Sequence, residues 1–234
     1  MVQKVTLVLT SDVLKMNKLI NQEPILKGET MQTKMPIVQR IELLLSIGLC
    51  ILFTGCKPMS ETVYDKSAGL NGSFEVTQSG LPVNWLVFTP ETVENSDFDL
   101  IIDTSEYIDG KQSLKFLVRE CSAGGEWNSP GFCKEYEVTP GASYIVSFWV
   151  KNTESQFFVK IGGVSAFDGS YETIISSREE IDTWKYYEHK YTMPTDKKFN
   201  RLRFALNVLS SGSFWIDDIR IVGSDGHSVI PTGK

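Results

Sequence analysis

Histidine is almost missing from this chain: only His189 and His227 occur in 234 residues. Cysteine is scarce as well. Cys50, Cys56, Cys121 and Cys133 form no C-x-x-C pair and no Cys/His cluster, so a zinc site has no ligand set to draw on. Positive charge is in deficit, with 23 Lys and Arg against 29 Asp and Glu and a formal net charge of -6. Such a chain repels a phosphate backbone, which argues against nucleic acid as a partner. No apolar run approaches the roughly 20 residues that a membrane-spanning helix needs. No segment keeps a helical apolar period over several turns, which argues against a helix bundle; residues 177–182 predict one turn at most. Nor do two carboxylates stand out on one inward face, as glycoside hydrolysis requires.

Aromatic residues are plentiful, at 11% of the chain with five tryptophans, and they predict a packed core rather than disorder. Before that core comes a leader. A polar stretch with Lys34 and Arg40 near its end precedes an apolar run from Leu43 to Phe53. Basic residues, a short apolar core and small residues after it suit a secretory signal. Residues 1–30 fit no such n-region, and Met31 or Met35 serves better as a start. The sequence Leu52-Phe53-Thr54-Gly55-Cys56 resembles the lipobox of bacterial lipoproteins. That resemblance implies acylation of Cys56 and an exported outer-membrane lipoprotein at the cell surface, since two or three acyl chains anchor firmly. Residues 1–55 are therefore set apart as the signal region, and 56–68 read as a linker without apolar period.

From residue 69 to 223 strand patterns dominate, leaving 224–234 as a tail. Leu114, Phe116 and Val118 share one face, as do Tyr144, Val146, Phe148 and Val150, with Ser147 and Trp149 opposite. Residues 202–208 alternate in the same way, with Arg203 and Asn207 opposite the apolar set. This period of two marks half-buried antiparallel strands. Further strands are expected at 84–88, 98–103, 133–138, 157–161, 171–176, 184–192 and 213–222. The turns between them are signalled by pairs such as Asp109-Gly110, Pro140-Gly141, Gly162-Gly163 and Ser211-Gly212. Many short strands and Gly/Pro turns predict an all-β antiparallel sandwich, a jelly roll of roughly 8 to 11 strands. Cys121 and Cys133 flank a Gly-rich loop. In an exported protein a disulfide closing it would contribute about 3 kcal/mol; buried free thiols are the alternative.

Three motifs follow one another in order. The first is Leu70-Asn71-Gly72-Ser73-Phe74-Glu75 with Gly80 and Pro82-x-x-Trp85. The second is Asp109-Gly110-Lys111-Gln112-Ser113-Leu114, then Val138-Thr139-Pro140-Gly141-x-x-Tyr144 running into Ser147-Phe148-Trp149-Val150-Lys151. The third is Trp184 followed by Phe214-Trp215-Ile216-Asp217-Asp218-Ile219-Arg220-Ile221. This series resembles the carbohydrate-binding modules of the family 4, 9 and 22 type, with a galactose-binding-like jelly roll, over essentially all of 69–223. The resemblance implies non-catalytic binding of a poly- or oligosaccharide. It also implies a structural calcium joining Glu75, the turn at Lys111 and Asp217, since calcium takes oxygens from carboxylates and carbonyls. Trp85, Trp184 and Trp215 are then core residues.

Sugars are held by aromatic faces and planar polar groups. Trp127, in the 121–133 loop, and Trp149 remain for that role. Arg203 and Asn207 join Trp149 if their strands share a sheet; Tyr171, Phe157 and Phe158 are weaker candidates. Two other classes compete. A jelly-roll polysaccharide lyase would draw on Tyr187, His189 and Arg203, although Tyr187, His189 and Tyr191 share a strand face that suits the core. A surface adhesin or assembly subunit would use the sandwich for protein contacts instead.

Overall fold

The period-2 alternation becomes two antiparallel sheets in the computed structural model, which describes residues 62–166 and 168–224. After a short hairpin of β1 (Thr77–Gln78) and β2 (Leu81–Pro82), ten strands form two five-stranded layers. One sheet runs β3 (Leu86–Phe88), β6 (Gly131–Glu137), β11 (Arg201–Val208), β8 (Phe157–Val164), β9 (Gly169–Ser177). The other runs β10 (Ile181–Thr192), β7 (Ser143–Thr153), β12 (Gly212–Gly223), β5 (Ser113–Glu120), β4 (Asp97–Asp103). Neighbouring strands are antiparallel throughout. The molecule is an all-β jelly-roll sandwich, with each of the ten anticipated strands in place.

Two local readings change. Gly162 and Gly163 do not turn the chain; they lie inside β8. A Cβ on Gly162 would stand 2.5 Å from the Tyr171 ring on the neighbouring strand, so the glycine makes room for an aromatic. Residues 177–182 pass from β9 to β10 with no helical turn, because the β-branched and aromatic residues that follow prefer the strand.

The inward faces meet in an aromatic core. Trp85 lies edge-on to Phe132 at 5.0 Å, Phe148 to Phe204 at 5.8 Å, and Phe157 tilts onto Phe214 at 4.5 Å. Such edge contacts suit the ring quadrupoles. Trp215 belongs elsewhere. Its neighbours Phe214 and Ile216 face the core, so it lies on the outer face of its sheet, with Lys115 and Lys151 above its ring at 4.4 and 5.2 Å. Trp184 is only half-buried.

The chain's entry into the fold is held by two asparagines. Asn84 donates to the carbonyls of Asp65 and Gly69, and Asn71 to those of Val76 and Val83. Both residues have positive φ, a region that asparagine tolerates better than most. Gly72 then runs against β12 so closely that a Cβ there would sit 1.9 Å from the Ile219 carbonyl oxygen.

At this junction the 108–112 turn meets two carboxylates. Asp217 Oδ2 accepts the amide hydrogens of Ile108 and Asp109 at 2.6 and 2.9 Å, and Oδ1 that of Asp218 at 2.7 Å. Glu75 Oε1 accepts those of Lys111 and Gln112 at 2.8 and 3.1 Å. The Gln112 side chain donates to Phe74 O, and Ser73 Oγ donates to Asp109. Asp217 is fully buried, and that burial pushes its carboxyl up to about 6, against the pull of the three amide hydrogens.

Two outcomes follow from this clasp. Gly110 has φ +74, and a Cβ there would stand 2.4 Å from Glu75 Oε1; Gly80 has φ +79 and open space around it. Gly110→Ala should lower stability by about 1–3 kcal/mol more than Gly80→Ala in thermal melts, from strain and the displaced carboxylate. The second concerns pH. Asp217 keeps its proton in the folded chain above the ordinary value of 3.8. The stability this proton contributes is complete below about pH 4 and is lost as pH rises to about 6. Between pH 4 and 7, urea melts should shift in favour of Asp217→Asn over the native chain by on the order of 1–3 kcal/mol. A gap independent of pH would show that burial does not raise this carboxyl.

Candidate functional site

The outer face of the β3-β6-β11-β8-β9 sheet carries a shallow cleft lined by Phe88, Trp127, Cys133, Lys160, Tyr171 and Arg203. Its floor can be read along the register. One row runs Leu86, Cys133, Ala205, Lys160, and its centre is low because Cys133 and Ala205 are small. The next row runs Glu135, Arg203, Gly162, Tyr171. The row on the other side runs Phe88, Gly131, Asn207, Phe158.

Two aromatic residues stand above this floor. Trp127 comes from a single helical turn, Glu126–Asn128, in the loop between β5 and β6. It is 49% exposed and leans on Phe88, ring to ring at 4.6 Å. Tyr171 projects from β9 across Gly162 and is 39% exposed. Burial pushes its phenol up, so it is neutral at physiological pH and keeps a proton to donate. Its hydroxyl oxygen accepts from Arg203 at 2.9 Å. The Arg203 guanidinium is braced on Glu135, which also accepts from Arg201. Two of the five Arg203 donors are left for a ligand. Lys160 stands over the Phe158 ring at 4.2 Å. Exposed aromatic faces, a fixed planar donor and a largely apolar floor suit a molecule with C–H faces and hydroxyl edges.

Of the residues proposed from sequence, Trp127 and Arg203 come together here. Trp149 does not. It lies on β7 in the other sheet, on the outer face beside Tyr186 at 5.2 Å. The alternation placed its side chain correctly, but which strands share a sheet is a long-range property that local pattern does not carry. Asn207 lines the cleft wall but is 1% exposed, with its amide spent on the 126–130 backbone. It holds the loop instead of touching solvent. Tyr171, ranked low from sequence, is a principal wall, and Lys160 and Glu135 were missed. Their positions opposite the core faces of β8 and β6 were the available signal.

The disulfide is also corrected: Cys121 and Cys133 are free thiols. Cys121 follows β5 in one sheet, and its Sγ donates to Val208 O at 3.7 Å. Cys133 lies in β6 of the other sheet and points to the outer face, away from the strand that leads to Cys121. Burial pushes the Cys133 thiol up to about 11, which makes it a poor nucleophile.

The lyase trio is not assembled. Tyr187 stacks on the core ring of Phe148 at 5.8 Å, His189 Nε2 bonds Glu172 at 2.8 Å, and Arg203 faces the opposite side of its own sheet. At the clasp, Lys111 presents its amide N–H to Glu75, and the hydrogen bonds of Asp217 come from three amide N–H groups. These donors compete with a cation for the same oxygens, which makes the clasp a poor fit for a calcium held between the two carboxylates. Among the described residues no group of three or more His, Cys, Asp or Glu could hold a metal ion. Cys56 lies outside the described residues.

Residues 66–212 match the family model CBM_4_9, described as a carbohydrate binding domain. No curated protein matches the chain. Among solved structures it is similar to the CBM22-1 xylan-binding domain from Paenibacillus barcinonensis Xyn10C, at 14% identity and TM-score 0.48 over 73% of this chain and 100% of that one. It is also similar to the C-terminal family 22 carbohydrate binding module of Clostridium thermocellum Xyn10B, at 16% identity and TM-score 0.47 over 70% of this chain and 98% of that one. A CBM4 structure aligns at 17% identity and TM-score 0.46 over 66% and 98% of the two chains. At TM-scores below 0.5 these likenesses say nothing about the ligand.

Proposed function

The chain belongs to the carbohydrate binding domain family whose model spans residues 66–212, and from that premise we propose that it binds a poly- or oligosaccharide, without catalysis, in the cleft between Trp127 and Tyr171. The observation that carries this reading is the pair of exposed aromatic residues over a low floor, with Arg203 fixed between Glu135 and Tyr171. Stacked rings take the C–H face of a sugar and the guanidinium takes its hydroxyls. The cleft lacks what hydrolysis asks for, two carboxylates free to flank one bond. Glu135 is tied to two guanidiniums, leaving Glu126 as the other acid at the cleft. The protein is exported and anchored through an acylated Cys56 in the outer membrane, facing the cell surface; the leader and the Leu-Phe-Thr-Gly-Cys sequence support this part. Its stability does not draw on calcium, because amide hydrogens already engage both oxygens of Asp217 and Oε1 of Glu75.

Calorimetric titration of the domain with xylohexaose, cellohexaose and laminarihexaose, backed by a glycan array, tests the reading. Binding is expected to at least one, with Kd roughly micromolar to millimolar, since few contacts and wet hydroxyls leave little surplus. Trp127→Ala and Tyr171→Ala should each weaken it about tenfold or more, about 1.4 kcal/mol, while Trp149→Ala leaves it unchanged. No binding across the array, or a loss from Trp149→Ala alone, would sink the cleft. Melting temperature in EDTA should equal that in excess calcium; a rise of several degrees with calcium would restore the ion to the clasp.

A further inference from the structure

We infer that Asn207 is the positioning residue that sets Trp127 over the cleft, so that the aromatic wall is in place before any ligand arrives. This inference rests on the sugar-binding reading of the cleft. Asn207 belongs to β11 and faces outward by alternation, yet it is 1% exposed because the 125–130 loop lies on it. Its Oδ1 accepts the Glu126 amide hydrogen at 2.9 Å, and its Nδ2 donates to the Glu126 carbonyl at 2.8 Å and the Ser129 carbonyl at 3.2 Å. One side chain thus reads both backbone groups of the residue before Trp127, as a neighbouring strand would.

The loop needs such a hold. Glu126 has φ +51, a conformation rarely taken by a residue of its kind, and it follows Gly125 at φ +70. Left to its own sequence the segment would leave this conformation, which costs of order 1 kcal/mol or more to keep. The surroundings are cut to fit the clamp. A Cβ on Gly131 would stand 2.8 Å from Asn207 Nδ2, and one on Gly125 would stand 2.9 Å from the Phe158 ring. Ser129 adds a second tie, accepting the Gly125 amide hydrogen at 2.8 Å and donating to Ser122 O. Among the described residues no hydrogen bond anchors the Trp127 indole, which is half in solvent and packs ring to ring on Phe88. Ordering of that indole is therefore delegated to the residue before it, and through that residue to Asn207. A binding site gains affinity when its walls are ordered in advance.

The test reads Trp127 directly. In 5-fluorotryptophan-labelled protein, Trp127→Phe assigns its ¹⁹F resonance. Asn207→Ala should shift or broaden that line without ligand and leave those of Trp85, Trp149, Trp184 and Trp215 in place. Asn207→Ser, with a smaller packing defect, gives the same reading should the alanine variant unfold. An unmoved Trp127 line in a folded variant would overturn the inference. Against the tightest-binding of the three hexasaccharides, Asn207→Ala should weaken binding about as much as Trp127→Ala, tenfold or more, and the double variant no more than Trp127→Ala alone. Losses that multiply would show that Asn207 acts independently of the indole. If no oligosaccharide binds, the sugar reading fails, while the ¹⁹F lines still decide whether Asn207 holds Trp127.

Discussion

Amide hydrogens donated by one turn to two carboxylates hold this sandwich closed. The 108–112 turn reaches Glu75 near the chain's entry and Asp217 in the last strand. A buried carboxylate without donors would cost several kcal/mol, and with three it becomes a fixed point that tolerates few other arrangements. The clasp also explains the bulge in β12, where the pairing to β7 shifts between Asp217 and Arg220 and Asp218 takes φ +51. That irregularity turns Asp217 beneath the turn and lets Gly72 come against Ile219. The turn leads into β5 and Asp217 belongs to β12, neighbours in one sheet, so the clasp ties the chain's entry to that sheet.

The cleft itself is made largely by omission. Side chains on the outer face of a five-stranded sheet would ordinarily stand at similar heights and give a flat surface. Here Cys133 and Ala205 leave the centre low, Gly162 lets the Tyr171 ring lie down, and Gly131 admits the Asn207 amide. The walls then come from elements beyond that floor, one from a loop and one from an edge strand. Such a site joins a sheet as its base to a wall that needs its own support, and the loop carrying Trp127 is tied to that sheet through Asn207.

Much of this was legible in the sequence, and the reasons for the exceptions are physical. Alternation in 113–119, 144–150 and 202–208 gave the strands and the facing of Trp149 and Arg203, because side-chain direction is a local property of a strand. It could not tell that β7 and β11 fall in different sheets, which parted Trp149 from Arg203. Gly162-Gly163 looked like a turn because glycine serves both to bend a chain and to make space, and only the neighbour Tyr171 decides between the two. Cys121 and Cys133 lie close in sequence, but one follows β5 and the other belongs to β6 of the opposite sheet, a separation that loop length conceals. Asn207 was picked out as a polar group on the right face; its burial depended on a loop 80 residues away whose path the pattern does not encode.

The two outer faces of the sandwich differ in how their aromatic residues are covered. On the β10-β7-β12-β5-β4 sheet the large aromatic residues have already found partners. Lys115 and Lys151 cover Trp215, whose indole N–H is spent on Asp103, and Trp149 rests on Tyr186, whose hydroxyl donates to Glu188. A ring capped by cations presents no face for stacking. On the β3-β6-β11-β8-β9 sheet the order is reversed. There Glu135 takes up both Arg201 and Arg203, and among the described residues no cation stands over the rings of Trp127 and Tyr171, which are 49% and 39% exposed. Aromatic faces that stay open beside a fixed guanidinium favour a ligand that brings C–H surfaces and hydroxyls. What sets the cleft face apart is two aromatic residues, Trp127 and Tyr171, half open to solvent on either side of a guanidinium held in place by Glu135.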